Sequence, residues 1–205
     1  MIFVKTPLIV TKIFFPGVVW HLTRHLRDKN IHLTFDDGPT PGVTHWVLDK
    51  LKEYQATATF FCLGRNVEKY PEIYNRILDE GHSVGNHTYS HLKGLLVNGQ
   101  EYVNDVRLAG NYIASDLFRP PYGPIRPGLV NRLKQDYRIT MWDVLSYDFS
   151  HKISPPECFS NVANNIRSGS IVVFHDSEKA RHNLEYTLPA VLDAFSGTYE
   201  FRRII

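Results

Sequence analysis

The chain has 205 residues, 43% of them hydrophobic and 21% charged, a size and composition suited to one globular domain with a sizeable core. Lys and Arg number 23 against 21 Asp and Glu. There is no long basic block and no basic run interleaved with aromatics, which excludes nucleic acid as an expected partner. Cys62 and Cys158 match no metal-binding or redox spacing, so a disulfide framework is excluded and buried free thiols are expected.

In chain order, the first stretch, MIFVKTPLIVTKIFFPGVVWHL, is apolar but interrupted by Lys12 and Pro16. No small-residue cleavage pattern follows, and the uninterrupted pieces are far too short to span a membrane. We therefore expect neither a signal peptide nor a transmembrane segment, and a cytoplasmic chain. Residues 1–30 are expected to pack as a short strand or hairpin capping a domain of residues 31–205. Peripheral contact with a membrane or a lipid-linked substrate is the alternative for this segment.

Beyond residue 30, β-rich runs occur at IHLTF, ATATFFCL, HSVGN, LFR, RITMWDV, SIVVF and YEFRRII. Between them the spacing of apolar residues predicts helices at about 42–54, 66–80, 99–115, 125–136, 156–168 and 184–195. Ser154, followed by Pro155 and Pro156, is a candidate N-cap. Seven strands alternating with six helices predict an α/β chain with a parallel sheet. The chemistry-bearing residues fall at strand ends: Asp36 and Asp37 after the first, His87 and His91 after the third, Arg119 after the fourth, Asp143 and Asp148 after the fifth, His175 after the sixth. In such folds the loops after strand C-termini converge on one face, so these residues are expected to meet.

His87 and His91 are four apart, so on a helical turn, or a tight loop of similar pitch, both imidazoles project to one side. With Asp37 as carboxylate they compose a catalytic zinc set that keeps an open position. Consecutive residues leaving a strand point in different directions, so Asp37 would bind the cation while Asp36 faces the water as general base. The same residues also spell an Asp-Gly turn with Asp36 capping backbone amides. In FRPPYGP, two prolines stiffen a loop that would aim the Tyr122 N–H into the site, where it would stabilise an oxyanion, while Arg119 pairs with a buried carboxylate. In VVFHD, His175 would protonate a leaving nitrogen, with Asp148 holding its ring and raising its pKa. Read singly, each of these motifs also has a purely structural explanation.

Taken in order, TFDDGP, HTYSH, RPPYG, DVLSYDF and VVFHD resemble the motifs of the polysaccharide deacetylases, the carbohydrate esterase family 4 or NodB-like domain, from about residue 31 to the last residue. The resemblance implies an irregular (β/α) barrel with about seven parallel strands and metal-dependent hydrolysis of an N-acetyl, sometimes O-acetyl, group on a sugar. It implies Asp36 as base, Asp37, His87 and His91 as ligands of one divalent ion, Arg119 as the residue orienting the base, Tyr122 as oxyanion donor, and His175 as acid tuned by Asp148. Zinc is the favoured metal, with cobalt, nickel or manganese as alternatives. Phe149 stands where the family usually has Trp in the acetyl pocket, Val173 where Leu is common, and Leu145 where many members are acidic. Activity is expected to survive these changes, with a shifted acyl selectivity.

The expected partner is an N-acetylated saccharide: peptidoglycan, a chitin oligomer, another surface glycan, or a lipid-linked or small cytoplasmic acyl-sugar. Oligomeric state is not legible. Two other readings are weighed. A non-haem iron oxygenase also uses two His and a carboxylate, but Asp37 precedes the pair by about fifty residues in an alternating pattern rather than adjoining the first His. A silent sugar-binding module is opposed by the presence of every base, metal, Arg and acid residue.

Overall fold

The computed structural model describes residues 4–8, 11, 15–22, 29–123 and 125–205. The strands are β1 (Asn30–Asp36), β2 (Thr59–Cys62), β3 (Ser83–Asn86), β4 (Leu117–Phe118), β5 (Arg138–Ile139), β6 (Val144–Leu145), β7 (Ile171–His175) and β8 (Glu200–Phe201). The helices are α1 (Val43–Glu53), α2 (Gly64–Lys69), α3 (Pro71–Asp79), α4 (Gly99–Gly110), α5 (Pro127–Leu133), α6 (Pro155–Ala163) and α7 (Arg181–Phe195). Along the sheet the order is β5-β4-β3-β2-β1-β7-β6, every pair is parallel, and β8 pairs with the start of β1. Seven parallel strands thus curl into the irregular (β/α) barrel expected from the sequence.

Two segments differ from the sequence expectation. RITMWDV is not one strand but two short ones, β5 and β6, at opposite ends of the sheet path. The intervening residues carry the chain across the gap between them. The predicted 66–80 helix is two helices, because Pro71 cannot donate to the preceding turn and instead starts α3 with Tyr70 as its N-cap. The start of α6 matches expectation: the Ser154 hydroxyl accepts from Glu157 N–H, and the Glu157 carboxylate accepts in return from Ser154 N–H.

Before β1, three described residues bridge to elements around the β5–β6 gap. Lys5 bridges to Val144, Val19 to Thr140 and His21 to Ser170. No helix among the described residues is long and apolar enough to cross a membrane. Cys62 and Cys158 are free and buried.

Alternation along the central strands sorts side chains into two layers. Ile31, Leu33 and Phe35 of β1, Phe60 of β2, and Val172 and Phe174 of β7 pack outward on Val47, Leu48 and Leu51 of α1 and Leu184, Leu188 and Leu192 of α7. Phe35 stacks on Phe60 at 5.1 Å and on Phe174 at 5.9 Å, each at 22°. The complementary residues of β1, His32, Thr34 and Asp36, point into the barrel and are buried. The outer aromatic stack therefore fixes which side of β1 the carboxylate of Asp36 takes. We expect Phe60→Ala to lower unfolding free energy by about 3–5 kcal/mol, read from denaturant unfolding with an unchanged denaturant dependence.

Candidate active site

The parallel register sets Asp36 directly beside His175 on the neighbouring strand, with Thr34 beside Val173. Asp36 and His175 both line one cavity of about 340 Å³, so a carboxylate and an imidazole sit one strand spacing apart on the same face. A larger cavity, about 720 Å³, is lined by Asn30, His32, Glu200 and Arg203 at the opposite ends of the strands, away from this cluster.

Arg119, which follows β4, is fully buried and reaches across the barrel interior. Its Nη1 donates to Asp36 Oδ1 and to the Thr34 hydroxyl, each at 2.7 Å. Nε donates to the Thr140 carbonyl at 3.0 Å and Nη2 to the Met141 carbonyl at 2.9 Å. The guanidinium also lies 4.0 Å from the centre of the Phe61 ring. Asp36 is thus held at one oxygen and has no freedom to turn from the cavity.

Asp37 continues past the strand end with φ 83°. In an extended conformation it would face the outer helices. The left-handed backbone instead brings its carboxylate to the same cavity as Asp36, so the divergence expected of consecutive residues holds only in part. Asp37 Oδ1 lies 3.1 Å from His91 Nε2 and 3.6 Å from His87 Nε2. Ligand atoms of these three residues lie within 4.8 Å of one another.

The histidine pair sits on an irregular loop, the second of the two placements expected. Asn86 Oδ1 accepts from Thr88 N–H, and the Thr88 hydroxyl accepts from His91 N–H. Asp105 of α4 accepts from the N–H groups of Tyr89 and Ser90. Thr88 and His91 have φ of 68° and 61°, conformations that this hydrogen-bond set holds against their local cost.

His87 Nδ1 donates to the Arg119 carbonyl at 2.7 Å. A carbonyl only accepts, so Nδ1 carries the proton and Nε2 presents a lone pair toward Asp37. Burial pushes His87 down to about 4, outweighing the pull of Asp36 and Asp37, so the ring is neutral. Burial also pushes Asp37 up, but the close His91 ring and the fields of His175 and His87 prevail and hold it well below the usual carboxylate range. Asp37 Oδ1 is buried and has no hydrogen-bond partner among the described residues. A buried anionic acceptor without a donor, facing two imidazole nitrogens, is the environment a divalent cation satisfies. These residues fit a metal ion.

The model of the polysaccharide deacetylase family matches residues 23–137, more than half of the chain. The chain belongs to the polysaccharide deacetylase family. Among curated relatives, a peptidoglycan-N-acetylglucosamine deacetylase of Bacillus cereus is 43% identical over 159 residues, covering 72% of this chain and 56% of the relative. The peptidoglycan-N-acetylmuramic acid deacetylase PdaC of Bacillus subtilis is 40% identical over 156 residues, covering 73% of this chain and 33% of the relative. The chain therefore spans only a third to about half of these two relatives. A crystal structure of a peptidoglycan N-acetylglucosamine deacetylase superposes with TM-score 0.84 at 30% identity, covering 97% of this chain and 95% of that one.

Within this family member the remaining expected residues fall around the same cavity. Tyr122 lines it with φ 62°, its ring 4.7 Å from that of His91. Phe149 and Val173 form its apolar wall, and the Phe149 ring meets His175 edge-on at 4.9 Å. Asp148 is buried, its Oδ1 2.8 Å from His175 Nδ1, and its Oδ2 accepts from His175 N–H at 2.7 Å. Asn183 of α7 donates to the Asp148 carbonyl and fixes that loop.

Asp143 does not join the site. It lies between β5 and β6, at the opposite end of the barrel, where it accepts from Ile171 N–H and the Ser170 hydroxyl and pairs with His21 at 2.9 Å. Trp142, Leu145 and Lys179 also line the cavity. The sequence gives no reason to place Trp142 or Lys179 there, and for Leu145 it shows only an apolar residue where many family members are acidic. Asp176, adjacent to His175, also has no role legible in the sequence, because its partners Gly38 and Thr44 are distant in the chain.

Burial pushes His175 down, but the Asp148 carboxylate, with Asp37 and Asp36 behind it, prevails and raises it to about 9 from an ordinary 6.5. A raised folded-state pKa means that the pair's contribution to stability is complete below about pH 6.5 and is lost as pH rises through about 9. In metal-free protein, Asp148→Asn should lower the His175 titration midpoint well below about 9, because the largest counterweight to burial is removed while only the more distant Asp37 and Asp36 remain. The imidazole C–H resonance followed by NMR across pH measures this directly.

Proposed function

We propose that the chain hydrolyses the N-acetyl amide of an amino-sugar in an oligo- or polysaccharide, releasing acetate. The observation that carries this reading is a carboxylate and an imidazole in register on adjacent strands, facing one cavity together with an Asp-His-His ligand set. The names of the relatives, all at 40% identity or above in the two cases given, support an N-acetylated glycan as substrate class.

Asp37, His87 and His91 would hold one divalent ion, zinc by ligand type, and when bound it supplies Lewis acidity that polarises the acyl oxygen and makes water more acidic. Asp36 takes the proton of the attacking water, and Arg119 holds that carboxylate aimed at the cavity. The Tyr122 N–H, in a loop stiffened by Pro120 and Pro121, donates to the oxygen that gains charge as the carbonyl becomes tetrahedral. His175 enters protonated, because Asp148 favours the imidazolium, and gives its Nε2 proton to the departing amine. Phe149 and Val173 border the acyl methyl, and with Trp142 and Leu145 they keep the reacting group in apolar surroundings.

The test is acetate release from N-acetylglucosamine oligomers, peptidoglycan fragments and acetylated xylan, each with and without a chelator. Chelator-sensitive release from an N-acetylated glycan is the expected result, and silence of the zinc-loaded protein across the panel would overturn the reading. Asp36→Asn should retain zinc binding by titration while losing roughly 10²-fold or more in turnover, since only the base is removed. Loss of zinc binding in that variant would show that the two carboxylates do not divide their work in this way.

A further inference from the structure

Asp176 is fully buried and lies immediately after His175, yet none of the roles above uses it. Its Oδ1 accepts from Gly38 N–H at 3.0 Å, and its Oδ2 accepts from the Thr44 hydroxyl at 2.6 Å. Its own N–H donates to the Asp36 carbonyl at 3.1 Å. The Asp36 carbonyl belongs to the peptide unit before Asp37, and the Gly38 N–H belongs to the unit after it. Two peptide planes define the φ and ψ between them, so one residue grips both sides of the Asp37 Cα.

The rest of the environment makes that grip rigid. Thr44, near the start of α1, accepts from Thr40 N–H at 2.7 Å and donates its own N–H to the Thr40 carbonyl at 2.9 Å. Residue 38 has no side chain to intervene, and a Cβ there would overlap the Asp176 carboxylate. Asp37 itself stands at φ 83°, a conformation that is unfavourable for a non-glycine residue and needs outside support.

We propose that Asp176 is a positioning residue for the metal-site carboxylate: it clamps the peptide units flanking Asp37, and so holds Asp37 in the left-handed conformation that turns its carboxylate toward His87 and His91. The inference rests on the reading of Asp37, His87 and His91 as a metal site. A merely structural role for Asp176 would lower stability and leave the folded protein's affinity for the ion unchanged.

Calorimetric titration of zinc into metal-free protein separates the two, alongside the visible absorption of the cobalt-loaded protein, which follows coordination geometry. Asp176→Ala should weaken zinc binding about tenfold or more and alter the cobalt spectrum, whereas Asp176→Asn, which keeps an acceptor for Gly38 N–H, should stay within about threefold of wild type. Thr44→Val, which removes one of the two anchors of the carboxylate, should weaken binding in the same direction by a smaller factor. A folded Asp176→Ala protein with wild-type affinity and spectrum would overturn the proposal. If that variant does not fold, wild-type affinity and spectrum in Thr44→Val would overturn it instead. A wild-type chain that takes up no zinc, or a His91→Ala chain that binds as tightly as wild type, removes the metal-site reading itself, a failure distinct from that of the clamp.

Discussion

The constraint on which the rest depends is a guanidinium buried in the middle of a barrel. Removing the Arg119 charge from water costs several kcal/mol unless the surroundings answer it. They do so with the Asp36 carboxylate, the Thr34 hydroxyl, two carbonyls that follow β5, and the face of Phe61. β4 and β1 are separated by two strands in the sheet, so these contacts tie together elements that the hydrogen-bond ladder cannot join. The shape of the barrel and the aim of the Asp36 carboxylate into the cavity are therefore one requirement. A side chain that spoiled the first would leave Asp36 buried and without its partner.

Around that centre, the rim is built from backbone that departs from local preference. Asp37, Thr88, His91 and Tyr122 all have positive φ, and three of them present groups to the cavity. Regular strand geometry sends alternate side chains to opposite faces, which would scatter a contiguous Asp-Asp pair. The left-handed turns gather them on one side. Asn86, Asp105 and Asp176, buried or half-buried side chains bonded to backbone amides, supply what local propensity does not. The polar residues outside the cavity thus carry much of its geometry.

The sequence showed the strong strands because long apolar runs ending in charged residues are hard to read otherwise, and this located Asp36 and His175. The spacing of His87 and His91 located the ligand pair without establishing that the backbone between them is a loop. What was not legible depended on neighbours distant in the chain. RITMWDV carries no Gly, Pro or Asn to mark an interruption, so its division into β5 and β6, and the resulting displacement of Asp143 to the far end, follow only from the strand order. Pro71 was a visible sign of the break between α2 and α3. Asp176 gave no sign of its partners, because Gly38 and Thr44 meet it only once β1 and β7 lie in register.

Two histidine–aspartate pairs in the molecule share one local geometry and differ in what surrounds them. His175–Asp148 and His21–Asp143 are both imidazole–carboxylate pairs, at 2.8 and 2.9 Å, each with a histidine side chain 15% exposed and an aspartate fully buried. A geometric template of a histidine and its orienting acid would retrieve the two with equal score. The first opens on a cavity that also presents Asp36 and the Asp37, His87 and His91 set that could hold a metal ion, while the second fastens the segment around His21 to the start of β7. A dyad of this kind is a general-purpose fastener, and what sets the first apart is the company it keeps across an open space.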